Sequence, residues 1–226
     1  MDRIHNTSAA AQVSMVAGLS AQWHTCLDEI PADEWDRLVD GAPGGSPFMR
    51  HACLTAMVDS GSACPETGWH PLFLTLRDPA GQLVGACPGF AKTHSYGEYV
   101  FDWAWADAHD RALAAQGQHY YPKLLVALPF SPIPGQRLLV EAGCTPAIQT
   151  EVRRRLLAEL QTQCRHQGWS SAHVLFLSDA EAELAEGEGW LHRNGVQFHW
   201  ENRLPQPYRD FADFLASLQR DKRKKI

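Results

Sequence analysis

The chain has 226 residues and a mass of 25.2 kDa, with 45% hydrophobic and 20% charged residues, which excludes a chain that is disordered throughout. The formal net charge is −6, so a diffuse positive field that would attract DNA is absent. The charge is uneven: the last ten residues hold five basic side chains and one acidic one, a charge of +4, which leaves −10 on the rest.

The first 18 residues are rich in Ser, Ala, Asn and Gln and show little periodicity, which indicates a mobile lead-in. They contain no basic segment followed by a long apolar core and a cleavage site. No apolar run in the sequence approaches the roughly 20 residues needed to cross a bilayer. The sequence therefore predicts a cytoplasmic protein without a membrane span.

Strand and helix patterns alternate in the next part of the chain. Residues 22–27 alternate between apolar and polar side chains, as in a strand, and Pro31 stands where a helix accepts proline, in its first turn. Ser46 and Pro47 repeat the signature of an N-cap followed by proline, and Ser60-Gly61 ends that second helix.

Two apolar runs, 71–76 and 83–90, flank the turn sequence Asp78-Pro79-Ala80-Gly81 and predict an antiparallel hairpin. Pro88 and Gly89 weaken the second run, which favours a bulge or a sheet edge at that point.

The remaining patterns continue the alternation of helices and strands. The clearest is a long helix that Thr145 and Pro146 open and Gly168 ends, with apolar residues at spacings of three and four. A near-continuous apolar run follows and is typical of a central strand. The other predicted elements are a helix over 98–115, strands over 124–129, 137–141, 172–177 and 196–201, and helices over 180–188 and 208–226.

The last predicted helix has no C-cap, and its basic residues have no evident partner in the sequence. We therefore expect a fragment, in which residues 206–226 begin a linking helix into a missing C-terminal domain. An apolar stripe that lacks a domain to cover it also predicts self-association through this helix. The stripe consists of Phe211, Phe214, Leu215 and Leu218.

Several site motifs are absent from the sequence. There is no G-x-x-x-x-G-K-[ST], G-x-G-x-x-G, G-x-S-x-G or H-E-x-x-H pattern, so P-loop, dinucleotide-binding, hydrolase and zincin classes lack support. The six cysteines are at least eleven positions apart, which excludes C-x-x-C pairs and favours reduced thiols. The histidines show no common ligand spacing, and no metal site is predicted.

The segment from His94 to Lys123 contains seven aromatic residues and four of the five tyrosines of the chain. Carboxylates are interleaved with them, and buried carboxylates need hydrogen-bond partners or water. On a helix, Glu98, Asp102, Trp105 and His109 fall on one face. A polar and aromatic face of this kind is typical of pockets that hold a peptide or a sugar. The alternative is a buried network that fixes the loop through Lys92, Lys123 or backbone donors.

Three stretches together resemble a known bacterial family. They are His94-Ser95-Tyr96-Gly97-Glu98-Tyr99-Val100-Phe101-Asp102-Trp103-Ala104-Trp105-Ala106-Asp107, Tyr120-Tyr121-Pro122-Lys123-Leu124 and Gly195-Val196-Gln197-Phe198-His199-Trp200. The family consists of predicted N-acyltransferases described as peptidoglycan biosynthesis/recognition proteins, related to the Fem peptidyltransferases and the GNAT superfamily. The resemblance implies a GNAT-like α/β domain over residues 19–205, with a mixed sheet flanked by helices, as the first half of a tandem.

The resemblance also implies a reaction, the transfer of an acyl or aminoacyl group to an amine on a small molecule or a cell-wall-related peptide. The donor would be acyl-CoA or aminoacyl-tRNA. Candidates for the base are Asp102, Glu98 and His199, and candidates for substrate binding are Tyr96, Trp105, Tyr121 and Lys123.

The donor cradle of such enzymes is a glycine-rich loop that leads into a helix. The corresponding loop here, Ala142-Gly143-Cys144-Thr145-Pro146, has one glycine, and its proline lacks an N–H donor. Two classes of function therefore stay open: an N-acyltransferase, and a non-catalytic module that recognises a peptide or a peptidoglycan precursor with the same fold.

Overall fold

The computed structural model describes residues 16, 18–43 and 45–225, which form two compact units. The first unit extends to His192 and the second begins at Arg193. Apart from residues 16 and 18, the predicted lead-in lies outside the described residues.

The first unit contains eight strands, five α-helices and four short 3-10 turns within the described ranges. The strands are β1 (Ser20–His24), β2 (Trp69–Pro71), β3 (Phe73–Arg77), β4 (Leu83–Cys87), β5 (Gly89–Lys92), β6 (Lys123–Val126), β7 (Leu139–Val140) and β8 (Ala172–Val174). The helices are α1 (Ala32–Asp40), α2 (His51–Asp59), α3 (Trp103–Leu113), α4 (Pro146–Gln167) and α5 (Asp179–Gly187). The 3-10 turns are Leu27–Glu29, Pro47–Met49, Pro65–Thr67 and Ala114–Gln116.

These strands form two four-stranded sheets. One has the order β1-β3-β4-β7 and is antiparallel throughout. The other has the order β2-β5-β6-β8, in which β6 and β8 run parallel. The predicted mixed α/β fold, with helices flanking the sheets, is confirmed.

The predicted hairpin is confirmed, and it connects the two sheets. Its turn is closed by Gly81 N, which donates to Asp78 O at 2.9 Å. The pairing of β2 with β5 continues the register of β3 with β4, and Leu72 N donates to Gly89 O at 2.9 Å between them. Pro88 has no N–H to give to the ladder, so each arm of the hairpin is divided into two strands at this point.

Apolar side chains pack into a separate core on each face of the strands, because successive residues of a strand point to opposite faces. Phe73 belongs to the cluster that α1 and α2 cover, and the next residue, Leu74, belongs to the cluster that α4 covers. The apolar stripe predicted for α4 is buried, and the helix ends at Gly168, whose φ is +65°. No helix of the described ranges is both long and apolar enough to span a membrane.

The predicted helix over 98–115 begins only at Trp103. Gly97 and Tyr99 have φ values of +81° and +59°, which a right-handed helix does not contain. Glu98 therefore lies in a loop, and the prediction that it shares a helix face with Asp102 and Trp105 is wrong.

Two further predictions, both for the second unit, are wrong. Residues 196–201 form no strand, although their side chains alternate, and Phe198 is 99% exposed. Alternation allows a strand, but a strand forms only where a neighbouring strand satisfies its backbone groups.

The predicted helix over 208–226 is two short helices, α6 (Phe211–Ser217) and α7 (Arg220–Arg223). The Ser217 hydroxyl donates to Phe214 O at 2.6 Å, a local bond that competes with helix propagation, and Leu218 is extended. Phe214 of the apolar stripe packs against Trp200 and Tyr208 within this unit, while Phe211 stays exposed.

Candidate functional site

A buried cluster of one lysine and two carboxylates lies where the 93–102 loop crosses the start of β6. Lys123 Nζ donates to Glu98 Oε2 at 2.8 Å and also to Asp102 Oδ2. Each of the three residues is at most 2% exposed. A buried charge is costly unless it is paired, so the contacts with the Lys123 ammonium compensate the burial of both carboxylates.

The loop is positioned by its backbone. Phe130 N donates to Gly97 O at 3.1 Å, and a Cβ on Gly97 would lie 2.6 Å from the Phe130 ring. The main chain at this point approaches the ring as only glycine can. Asp102 then caps α3, since its carbonyl accepts from the N–H groups of Trp105 and Ala106.

Two tyrosines also hold the Asp102 carboxylate. Tyr120 donates to Oδ2 at 3.0 Å and Tyr121 to Oδ1 at 2.8 Å. Burial alone would raise the pKa of Asp102, but the hydrogen bond and charge of Lys123, together with Tyr121, lower it to about 2. Burial and the adjacent carboxylate raise the pKa of both tyrosines, so they act as donors. Asp102 is thus a fixed anion.

Glu98 differs from Asp102 in having one free oxygen. Its Oε1 has no hydrogen-bond partner among the described residues. Burial raises the pKa of Glu98, and this effect outweighs the opposing charge of Lys123. A carboxylate with a raised pKa and an unpartnered oxygen can accept a proton, so Glu98 is the member of the cluster suited to acid–base chemistry.

The structure brings together four of the seven predicted site residues: Glu98, Asp102, Tyr121 and Lys123. Glu98, Asp102 and Lys123 are buried and Tyr121 is half-buried, so they do not line an open cleft: the two carboxylates close directly on the lysine. Tyr96 and Trp105 lie outside the cluster, 67% and 60% exposed.

His199 lies in the second unit, exposed, in the irregular chain before α6. Tyr120 completes the cluster and was not predicted as a site residue. The only signal for it in the sequence is its place beside Tyr121.

The loop from Glu141 to Pro146 does not fit the pyrophosphate of CoA. Gly143 N donates to Glu141 Oε1 at 3.4 Å, and Glu141 Oε2 accepts from Arg37 at 2.8 Å. A carboxylate thus stands where phosphate oxygens would have to bind, and Pro146 offers no N–H.

The described residues also contain no group of three or more His, Cys, Asp or Glu side chains arranged to hold a metal ion. The six cysteines are free thiols.

The chain is similar to two solved structures at low identity. One is a protein described as an acetyltransferase from Deinococcus radiodurans R1, 17% identical, with a TM-score of 0.40; the match covers 81% of this chain and 90% of that one. The other is a ribosomal-protein-alanine N-acetyltransferase from Brucella melitensis biovar Abortus 2308, 10% identical, with a TM-score of 0.40 and coverage of 81% and 98%. None of the curated proteins matches the sequence significantly.

The sequence profile of one family, described as peptidoglycan biosynthesis/recognition, matches residues 26–226. This match spans the buried cluster and most of the chain. The chain therefore belongs to the FemAB-like family of peptidoglycan biosynthesis/recognition proteins.

Proposed function

We propose that this protein takes part in the transfer of an acyl or aminoacyl group to an amine, with a small molecule or a cell-wall-related peptide as the acceptor. Family membership supports the class of reaction. The observation that carries the proposal for this chain is the unpartnered Glu98 Oε1 within a buried, otherwise satisfied ionic cluster.

In this proposal Glu98 is the base. An amine attacks an acyl carbon only with a free lone pair, so its proton must leave as the new N–C bond forms. Glu98 Oε1 receives that proton, while Lys123 holds Oε2 and fixes the orientation of the carboxylate. The bond that breaks is the C–S bond of a thioester donor or the C–O bond of an aminoacyl ester donor, and the departing sulfur or oxygen takes up a proton. Asp102, held by two tyrosines, pairs with Lys123 and keeps it in place. The 93–102 loop has to move for an acceptor to reach Glu98.

The proposed donor is acyl-CoA or aminoacyl-tRNA, both of which are consistent with a cytoplasmic site of action. Because Glu141 and Pro146 make the loop before α4 unsuited to pyrophosphate, the proposal places the donor away from that loop. The cluster around Glu98 would then supply the acceptor side of the reaction.

The second candidate is a recognition module that binds a peptide or a peptidoglycan precursor without catalysis. The complete burial of the Lys123 cluster favours it, since a cluster that only fixes the loop needs no access to substrate. Exposed aromatic rings beside the cluster, those of Tyr96 and Trp105, would suit such binding.

A transfer assay with the whole chain separates the two candidates. The protein is incubated with a soluble peptidoglycan precursor peptide and, in separate reactions, radiolabelled acetyl-CoA or a pool of radiolabelled aminoacyl-tRNA. An enzyme yields a labelled peptide whose mass has increased by the transferred group. Binding of the peptide with no transfer from either donor would refute the enzymatic proposal and support the recognition module.

A further inference from the structure

A row of three buried side chains crosses the second sheet on one face. Trp69 on β2 is the direct neighbour of Lys92 on β5, and Lys92 is the direct neighbour of Lys123 on β6. Directly opposed residues project from the same face of a sheet, so two lysines lie side by side in the interior. All three residues are at most 1% exposed.

The two lysines have different partners. Lys123 contacts two carboxylates, whereas no carboxylate oxygen of the described residues lies within 4.0 Å of Lys92 Nζ. Lys92 Nζ donates to Tyr96 O at 3.3 Å and lies 3.7 Å from the centre of the Trp69 ring. Burial lowers the pKa of Lys92 to about 8, and Lys123 adds to this effect against the attraction of Glu98. The Lys92 ammonium thus has one carbonyl acceptor and a ring face as partners and no paired anion, so its charge is only partly compensated.

A hydrogen-bond donor beside Lys92 is unsatisfied. The indole Nε1 of Trp69 is buried and has no acceptor in the part of the chain that the structure describes. Buried donors that lack acceptors are uncommon, and each one costs stability. This unsatisfied donor adjoins the Lys92 ammonium, which has no carboxylate partner, and the combination points to an anionic acceptor that is supplied from outside the chain.

We propose that Lys92 and Trp69 form a subsite for a carboxylate group of the bound acceptor. The inference rests on the proposed function in one respect, that the bound molecule is the acceptor. The carboxylate oxygens accept from Lys92 Nζ and Trp69 Nε1, and they replace the Tyr96 carbonyl. Tyr96 has an exposed side chain, so displacement of this surface residue opens the subsite. The acceptor is accordingly an amino acid or peptide with a carboxylate near its reacting amine.

The charges favour a monoanion over a phosphate. Lys92 is a single ammonium without a carboxylate partner, and one carboxylate balances it. A phosphate dianion would add a second negative charge close to Glu98 and Asp102, and like charges in a buried site repel strongly.

The test follows the indole N–H resonance of Trp69 by NMR while the whole chain is titrated with N-acetylglycine. N-acetylglycinamide, which has the same shape without the charge, is the control ligand. We expect a saturable downfield shift of the indole proton with the acid and none with the amide. Lys92→Met, which keeps the stem over the ring, should weaken binding by about tenfold or more, as expected for the loss of a charged hydrogen bond. Lys222→Met, on the exposed helix α7, should leave binding unchanged.

A wild-type protein that shows no shift with the acid, or an equal shift with both ligands, overturns the inference, and neither result depends on the folding of a variant. Binding of the acid to Lys92→Met with the wild-type affinity also overturns it. The titration contains no donor. A failure of acyl transfer therefore leaves this result standing, and a failure of the titration leaves the role of Glu98 standing.

Discussion

Replacement of the Lys92 ammonium by an uncharged side chain of similar length should stabilise the protein. The Lys92→Met variant keeps the aliphatic stem against Trp69 and removes a buried charge that has one carbonyl acceptor at 3.3 Å. The pKa of Lys92 falls from its ordinary value of 10.5 to about 8, chiefly because of burial. At about 1.36 kcal/mol per pKa unit, the protonated side chain destabilises the fold by roughly 3 kcal/mol.

The pH dependence gives this prediction its sign. Below pH 8 Lys92 is protonated in both the folded and the unfolded chain, so the full penalty of about 3 kcal/mol applies. Between pH 8 and 10.5 the folded chain releases the proton first, and the penalty shrinks as the pH rises. The stability advantage of Lys92→Met should therefore be largest at neutral pH and small above pH 10.5.

Urea denaturation of both proteins at pH 7 and pH 10 measures this difference. The exposed Lys222→Met variant serves as the control and should stay within about 0.5 kcal/mol of the wild type. A Lys92→Met variant that is less stable than the wild type at pH 7, or an advantage that does not depend on pH, would show that the ammonium is well compensated and that the reasoning is wrong.

Three further changes test the cluster and its loop by the same denaturation method. Lys123→Met should lower the free energy of unfolding by about 3–5 kcal/mol, since it leaves two buried carboxylates without a cationic partner. A loss of stability under about 1 kcal/mol would contradict the ion pairing. Asp102→Asn should lower the free energy of unfolding by about 2 kcal/mol at pH 7. The wild type should lose the same amount of stability as the pH falls from about 4 to about 2, because folding lowers the pKa of Asp102 from 3.8 to about 2. Gly97→Ala should lower the free energy of unfolding several times more than Gly117→Ala. Both glycines have a positive φ, but only at Gly97 would the added Cβ lie 2.6 Å from an atom of the Phe130 ring. Equal losses of stability would contradict the close approach to Phe130.

Local sequence signals predicted the elements whose stability is decided locally. The long helix α4 carries its N-cap, its apolar stripe and its terminal glycine within one segment, and the hairpin carries its turn. The prediction of a strand over residues 196–201 was wrong for the opposite reason. Apolar and polar side chains do alternate in this segment, but a strand also needs a neighbouring strand, which is often distant in sequence, and the alternation does not encode that neighbour.

The sequence predicted most of the residues that belong to the candidate site, but not how they are arranged. The density of tyrosines and carboxylates identified Glu98, Asp102, Tyr121 and Lys123. Their arrangement depends on left-handed residues at Gly97 and Tyr99, which break the helical spacing and let the loop fold back on β6. The environment of Lys92 depends on strand pairing with Trp69, a residue 23 positions earlier, and no local pattern reports it.

The variant Glu98→Gln tests whether Glu98 accepts the proton of the acceptor amine. This variant keeps the shape of the side chain and a hydrogen-bonding oxygen near Lys123 while it removes the basic carboxylate. Peptide binding and transfer are measured together, with the exposed Glu183→Gln as the matched control. We expect Glu98→Gln to bind the peptide like the wild type and to lose transfer by about a hundredfold or more, whereas Glu183→Gln keeps both. Transfer by Glu98→Gln at the wild-type rate would contradict the role of Glu98 as the base.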